Sequence, residues 1–224
     1  MLALGFAGGR PLRRMLAIGA HSDDLEIGCG GTVLALTRAN PGLTVDWVVL
    51  AAPGDRAGEA RRSAEVLLAD AAESSVEVLD FRDGYLPHTA AEVKDAFEAL
   101  KGRVEPDLVF THTRDDLHQD HRLVCELTWN TFRDHVVLEY EIPKWDGDTG
   151  RPNVYVALEE SVVQEKLDLL GGHFDTQRGK DWYDVEVFRG LMRIRGMECR
   201  APSGYAEAFV ARKLSLAAGA EAAA

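Results

Sequence analysis

Closely spaced cysteine pairs are absent from this chain. Its three cysteines, Cys29, Cys125 and Cys199, are far apart and odd in number, and no Cys-x-x-Cys occurs. That spacing gives neither a zinc knuckle nor a disulfide framework, so reduced thiols in a cytoplasmic protein are expected. Basic residues are also scarce: 25 Lys and Arg stand against 37 Asp and Glu, a formal net charge of -12. A phosphate-backbone binder needs a cationic footprint, so no nucleic-acid partner is expected. No apolar run approaches the ~20 residues of a membrane span. The stretch after Arg10, Arg13 and Arg14 carries His21, Asp23 and Asp24, which reads as a strand and its exit and not as the apolar part of a signal peptide. A full Gly-x-Gly-x-x-Gly is missing too. Gly28-Cys29-Gly30-Gly31 follows a strand, but the carboxylates between His21 and Glu26 would crowd a pyrophosphate, so no dinucleotide cofactor is expected.

What is present suits one sizeable domain. The chain has 224 residues, 46% of them hydrophobic, and reads as a single domain over 1–224 with flexible ends at 1–14 and 215–224. Short apolar runs predict strands at Leu16–Ala20, Val45–Ala51, Val76–Leu79 and Asp107–Thr111. Helical patterns alternate with them at Gly30–Ala39, Ala57–Ala69, Ala90–Arg103 and Leu123–Phe132, the third with Val93, Phe97 and Leu100 on one face. This rhythm predicts an α/β fold: a Rossmann-like, mainly parallel sheet with helices on both faces. The second half is less regular. Strands are expected at Val136–Ile142, Asn153–Leu158 and Ala206–Arg212, helices at Val162–Leu170 and Val185–Met197, and a Pro/Gly/Asp-rich loop at Pro143–Pro152.

Two short clusters carry the chemistry. His21-Ser22-Asp23-Asp24 leaves the first strand, and His118-Gln119-Asp120-His121 opens a helix. In open α/β sheets ligands bind beyond the carboxyl ends of strands, and both clusters follow such ends. They offer more imidazoles and carboxylates than the three protein ligands of a catalytic zinc. The excess matters, because hydrolysis also needs a general base and a group to handle a developing oxyanion. If Asp24 binds a metal, Asp23 is left beside it to take a proton. His118 and His121 share a face of a helical turn, while Asp120 points elsewhere as a partner for an imidazole.

These residues resemble the LmbE-like, or PIG-L, deacetylases, zinc-dependent amidases that remove N-acetyl groups from amino sugars and related glycosides. The likeness rests on Ala20-His21-Ser22-Asp23-Asp24, where the family usually has Ala-His-Pro-Asp-Asp, and on His118-Gln119-Asp120-His121. It extends to Gly28–Gly31 as the Gly-rich start of the first helix, to Arg62 and Glu65, to Asp83-Gly84, and to Ala206-Glu207-Ala208-Phe209. The resemblance implies zinc, or another divalent transition metal, on His21, Asp24 and His121. It implies Asp23 as general base, His118 as the group that polarises the carbonyl or protonates the leaving amine, and Asp120 as the group that orients His118. Ser22 in place of proline costs the turn some stiffness but no ligand.

Other residues carry two readings each. Arg56 at a strand exit, Asp115 in the loop before the second cluster, Trp145 in the long loop and His173 are candidates for substrate binding. Each is otherwise a surface charge, a lid or a helix-end residue. His112 either lines the site or is a hydrogen-bonded core histidine. The expected partner is a small N-acetylated sugar, with a homo-oligomer open. Two other functions stay open: an amidase that cuts a larger amide of a sugar or thiol–sugar conjugate, and a metal- or sugar-binding protein without turnover.

Overall fold

The strand that carries the first cluster is buried along its whole length from Met15 to His21, as a central strand covered on both faces must be. A computed structural model describes residues 11–215. In it β1 (Arg14–His21), β2 (Thr44–Ala51), β3 (Glu73–Val78), β4 (Leu108–His112) and β5 (Val136–Tyr140) run parallel. The sheet is completed by β6 (Val154–Ala157) and β7 (Ala206–Val210), in the order β3-β2-β1-β4-β5-β7-β6. β7 is antiparallel to both of its neighbours, so the expected mainly parallel sheet is observed with one reversed strand.

Alternate residues of β1 feed two cores. Met15 and Ala17 face the helices α1 (Asp24–Ala39), α2 (Asp55–Leu67), α5 (Glu160–His173) and α6 (Val185–Cys199). Leu16, Ile18 and Ala20 face α3 (Ala90–Lys101) and α4 (Gln119–Thr131). α3 buries Val93, Phe97 and Leu100, the face read from its periodicity. The connection through α3 carries the chain past β1 to β4, so the strand order reverses between β1 and β4. That reversal is the switch point at which open α/β sheets bind ligands.

Three expectations need correction. The first helix begins at Asp24 and not at Gly30. Its glycines lie inside the helix because it packs closely: a Cβ on Gly28 would stand 2.3 Å from Tyr140 Cδ2. β3 begins three residues before Val76, with its first half exposed at the sheet edge, where burial imposes no apolar pattern. Arg14 is the first residue of β1, held through Nε to Asp46 Oδ2 at 2.6 Å, and so is not part of a loose end. Of the other residues in the expected flexible ends, 1–10 and 216–224 lie outside the described residues.

Candidate active site

β1 and β4 share a ladder only from Met15 opposite Leu108 to Ala17 opposite Phe110. Beyond it the strands part, and both clusters gather in the opening. His21 closes β1, Ser22-Asp23 forms the turn, and Asp24 starts α1. His118 caps α4 with its ring, and His121 lies in the first turn of that helix.

Three donor atoms converge there. His21 Nδ1 lies 3.1 Å from His121 Nε2 and 3.2 Å from Asp24 Oδ2, and His121 Nε2 lies 3.5 Å from Asp24 Oδ2. Ligand atoms at ~2.0–2.1 Å from a tetrahedral zinc stand roughly 3.3 Å apart, so this triangle has the size of one face of such a site. The far nitrogens of both rings are held by carboxylates. His121 Nδ1 is 2.8 Å from Asp116 Oδ2, and His21 Nε2 is 3.2 Å from Asp120 Oδ2 and from Asp83 Oδ1. Protons held on those far nitrogens leave lone pairs pointing into the triangle, which is the tautomer a metal ligand needs. Burial and the nearby His112 push His121 down to about 3, so it is neutral. Burial works to raise Asp24, but His121, His112 and His21 outweigh it and hold that carboxyl well below its usual value. Burial works to lower His21, yet Asp24, Asp120 and Asp83 keep it well above its usual value. The surroundings therefore favour a positive charge at this point.

His21–His118–His121 and Asp24–His112–His121 also bring donors within 4.8 Å of one another. In each, one histidine has a nitrogen already engaged by a backbone amide: His118 Nδ1 by Asp120 N at 3.2 Å, and His112 Nε2 by Ala20 N at 3.0 Å.

Asp23 sits beside the triangle, buried, with Oδ2 lacking a hydrogen-bond partner among the described residues. Burial and the Asp24 charge raise it to about 6, against the pull of Arg56 and His21. Because His118 Nδ1 accepts an amide proton, its neutral ring carries the other proton on Nε2. Burial and the neighbouring His21 lower its pKa, so this ring is a neutral donor near pH 7.

One buried acid takes no part in this arrangement. Glu26, in the first turn of α1, is fully buried, and neither carboxylate oxygen has a hydrogen-bond partner among the described residues. Burial lifts it from 4.5 to about 8, against the pull of Ser63. Between those values the folded protein holds a proton that the unfolded chain has lost. Stability therefore falls as pH rises through the window, by at most roughly 5 kcal/mol at about 1.4 kcal/mol per unit. Glu26→Gln is expected to remove this slope. The Tm difference between variant and parent should be small near pH 4.5 and favour the variant near pH 8, and a parallel pair of melting curves against pH would contradict it.

The triangle lies at the floor of a cleft of about 200 Å³ walled by Arg56, Asp83, Trp145, Gln177, Lys180 and Trp182. Residues 16–132, over half of the chain, match the family model for PIG-L, described as GlcNAc-PI de-N-acetylase. The chain belongs to the PIG-L family. It is 29% identical over 173 residues to the uncharacterized deacetylase YaiS of Escherichia coli K12, covering 71% of this chain and 89% of that protein. Its fold matches the N,N'-diacetylchitobiose deacetylase of Pyrococcus horikoshii with a TM-score of 0.70 at 22% identity, over 92% of this chain and 87% of that one. It also matches GalB, the 4-carboxy-2-hydroxymuconate hydratase of Pseudomonas putida KT2440, with a TM-score of 0.68 at 18% identity, over 93% and 99% of the two chains. One fold thus carries a deacetylase and a hydratase, so the reaction has to be argued from the residues of the site.

The structure brings His21, Asp24, His118 and His121 together, but several side chains do other work than their sequence positions suggested. The Asp120 carboxylate does not reach the His118 ring. It bonds His21 Nε2 and accepts the amides of Gly84 at 2.8 Å and Leu86 at 3.1 Å, tying the turn after β3 beneath His21. Arg56 lines the cleft, but its guanidinium is taken by the protein: Nε donates to Ser22 Oγ at 3.0 Å, and the other nitrogens reach Asp83 and Asp23. Gly54, at φ +62°, makes the turn into α2 that aims Arg56 this way. Serine in place of the usual PIG-L proline thus replaces ring stiffness with a hydrogen bond that proline could not accept. Asp115 is exposed and lies outside the cleft walls. His173 bonds Leu169 O of its own helix at 3.1 Å and faces the surface between α2 and α5. Trp145, 73% exposed, stands on the cleft with its ring 6.4 Å from that of Trp182.

Asp116 and Lys144 do work at the site that the sequence does not reveal. Asp116 Oδ1 accepts the His118 amide at 2.7 Å while Oδ2 holds His121. Lys144 Nζ, 2.9 Å from Asp116 Oδ1 and 2.5 Å from Asp148 Oδ2, fastens the Trp145 loop to that same carboxylate. The readable signal for Asp116 is its place two residues before the capping His118, where a short acid can take up a free amide at a helix start.

Proposed function

We propose that the protein is a metal-dependent N-deacetylase that hydrolyses the acetamide of an amino sugar or an amino-sugar glycoside. The observation that carries this reading is the donor triangle of His21, Asp24 and His121 with the unpartnered Asp23 Oδ2 beside it. A divalent metal on those three residues, zinc fitting best, supplies Lewis-acid polarisation of the acetyl oxygen and lowers the pKa of water. The residues of the chain do the rest. Asp23 accepts the proton of the attacking water as the C–O bond forms. His118, neutral and with its proton on Nε2, donates a hydrogen bond to the developing oxyanion, and the proton that Asp23 took from the water passes to the nitrogen as the C–N bond breaks. Asp120 and Asp116 hold the two ligand rings in their working tautomers. Arg56 fixes Asp23 and the Ser22 turn.

Trp145 and Trp182 offer an indole face and edge to the apolar side of a sugar ring, which supports a carbohydrate over an extended acyl chain. Trp145→Ala is expected to raise KM roughly 3- to 10-fold, equivalent to about 0.5–1.5 kcal/mol, with kcat nearly unchanged. A loss confined to kcat would place Trp145 outside substrate binding. The deacetylase reading is tested by metal content together with release of acetate and free amine from a panel of N-acetylated sugars. Bound metal with acetate release supports it. Bound metal with amine release only from amides with bulkier acyl groups would move the assignment to a larger amide. A purified, reconstituted protein without metal would end it. The working form is proposed to be a cytoplasmic protein, alone or as a homo-oligomer, acting on this small substrate.

A further inference from the structure

His112 ends β4 with its side chain fully buried, and it is not one of the three donors. Its ring makes four contacts that join the separate parts of the site. Nε2 accepts the Ala20 amide at 3.0 Å, at the point where β1 and β4 have stopped sharing backbone hydrogen bonds. The same Nε2 lies 3.2 Å from Asp24 Oδ2, which itself accepts the His21 amide at 2.7 Å. The ring face stacks on that of His121, with centroids 3.9 Å apart and planes 17° from parallel, and the ring also meets that of Tyr140 of β5, with centroids 4.7 Å apart. Two successive amides of the chain leaving β1 therefore end on side-chain acceptors, one from β4 and one from α1. His121, which arrives from α4, rests flat on the same ring.

We propose that His112 is a positioning residue that sets the spacing between the His21–Asp24 turn and His121, and through it the affinity of the site for its metal. The physical need is plain. Two donors come from the end of β1 and one from a helix that follows β4, and no backbone ladder joins the two strands at that level. A side chain that accepts from one strand and stacks on the ligand of the other fixes their separation. The acceptor and the stacking surface make separate contributions, and a substitution can remove either one.

The inference rests on the metal-site reading above, and the test separates the two. Zinc affinity of the metal-free protein is measured by competition with a chromophoric chelator, for the parent, His112→Ala, His112→Phe and His112→Gln, with His121→Ala as the control for a missing ligand. Tm in excess chelator is measured for each, to read fold stability apart from metal. His112→Ala is expected to weaken zinc binding roughly 10- to 100-fold, the usual effect of removing a group that orients ligands. His112→Phe keeps the stacking surface but loses the acceptor, and is expected to fall between Ala and the parent. His112→Gln places an amide oxygen where Nε2 was and is expected to recover much of the affinity. Variants that bind zinc within twofold of the parent, while His121→Ala does not bind, would overturn the role of His112 and leave the metal site standing. Failure of Gln to bind better than Ala, or affinities that merely follow Tm, would equally overturn it. A parent that takes up no zinc would overturn both.

Discussion

Replacing Asp23 by Asn is expected to lower turnover roughly 100- to 10,000-fold, the range for loss of a positioned general base, while bound metal stays at the parent level. Asn has the same size and can still accept from Arg56, which approaches Oδ1 at 3.4 Å. It cannot take a proton on Oδ2, the oxygen that has no other partner. Neither oxygen belongs to the donor triangle, so the metal should not leave. The pH profile adds a second readout. A base works only when ionised, and burial with the adjacent Asp24 raises Asp23 to about 6. A cation held beside it pulls that value down, so kcat/KM of the parent should climb with pH and level off by about pH 6, and the residual activity of Asp23→Asn should lack that limb. Metal loss in step with activity would remove Asp23 from the role of base and make it a ligand.

His121→Ala is expected to abolish metal binding and to lower activity roughly a thousandfold or more. The reasoning is of another kind, since the change removes one of three donors and leaves two from a single turn. Several kcal/mol of Lewis-acid assistance correspond to that loss at about 1.4 kcal/mol per tenfold. His118→Ala is the informative comparison. It removes a ring 4.5 Å from that of His121 but none of the triangle, so metal content should hold while turnover falls. If both variants bind metal like the parent, the assignment of the triangle fails.

The parts of the fold that were legible in sequence are those in which burial imposes a pattern. β1, β2 and β4 are covered on both faces and read as mostly apolar runs, and α3 shows its buried stripe through Val93, Phe97 and Leu100. The start of α1 was hidden because polar residues occupy its first turn for the sake of the site, and its glycines look like a loop although they serve packing. The ligand candidates could be read because their spacing is local: His21 with Asp24, and His118 with His121. The pairings across the site could not. Whether Asp120 meets His118 or His21 depends on where the turn at Gly84 comes to rest, and that turn is 36 residues away. His173 is the candidate the sequence offers in this stretch, yet it is Gln177, in the short 3-10 turn after α5, that reaches the cleft. Asp116 and Asp115 are neighbours of identical chemistry, and only the helix start at His118 decides which of them turns inward.

His21 and His121 stand 100 positions apart in the chain. An ion gripped by both is a clasp closing a loop of that length. In the chain-entropy view a covalent bridge over ~100 residues restricts the unfolded chain by about 4.7 kcal/mol, and a ligand that binds only the folded form adds stability in proportion to its supply. Metal availability would then govern how long each molecule survives as well as how fast it works, and a cell short of the ion would lose the protein itself along with its activity.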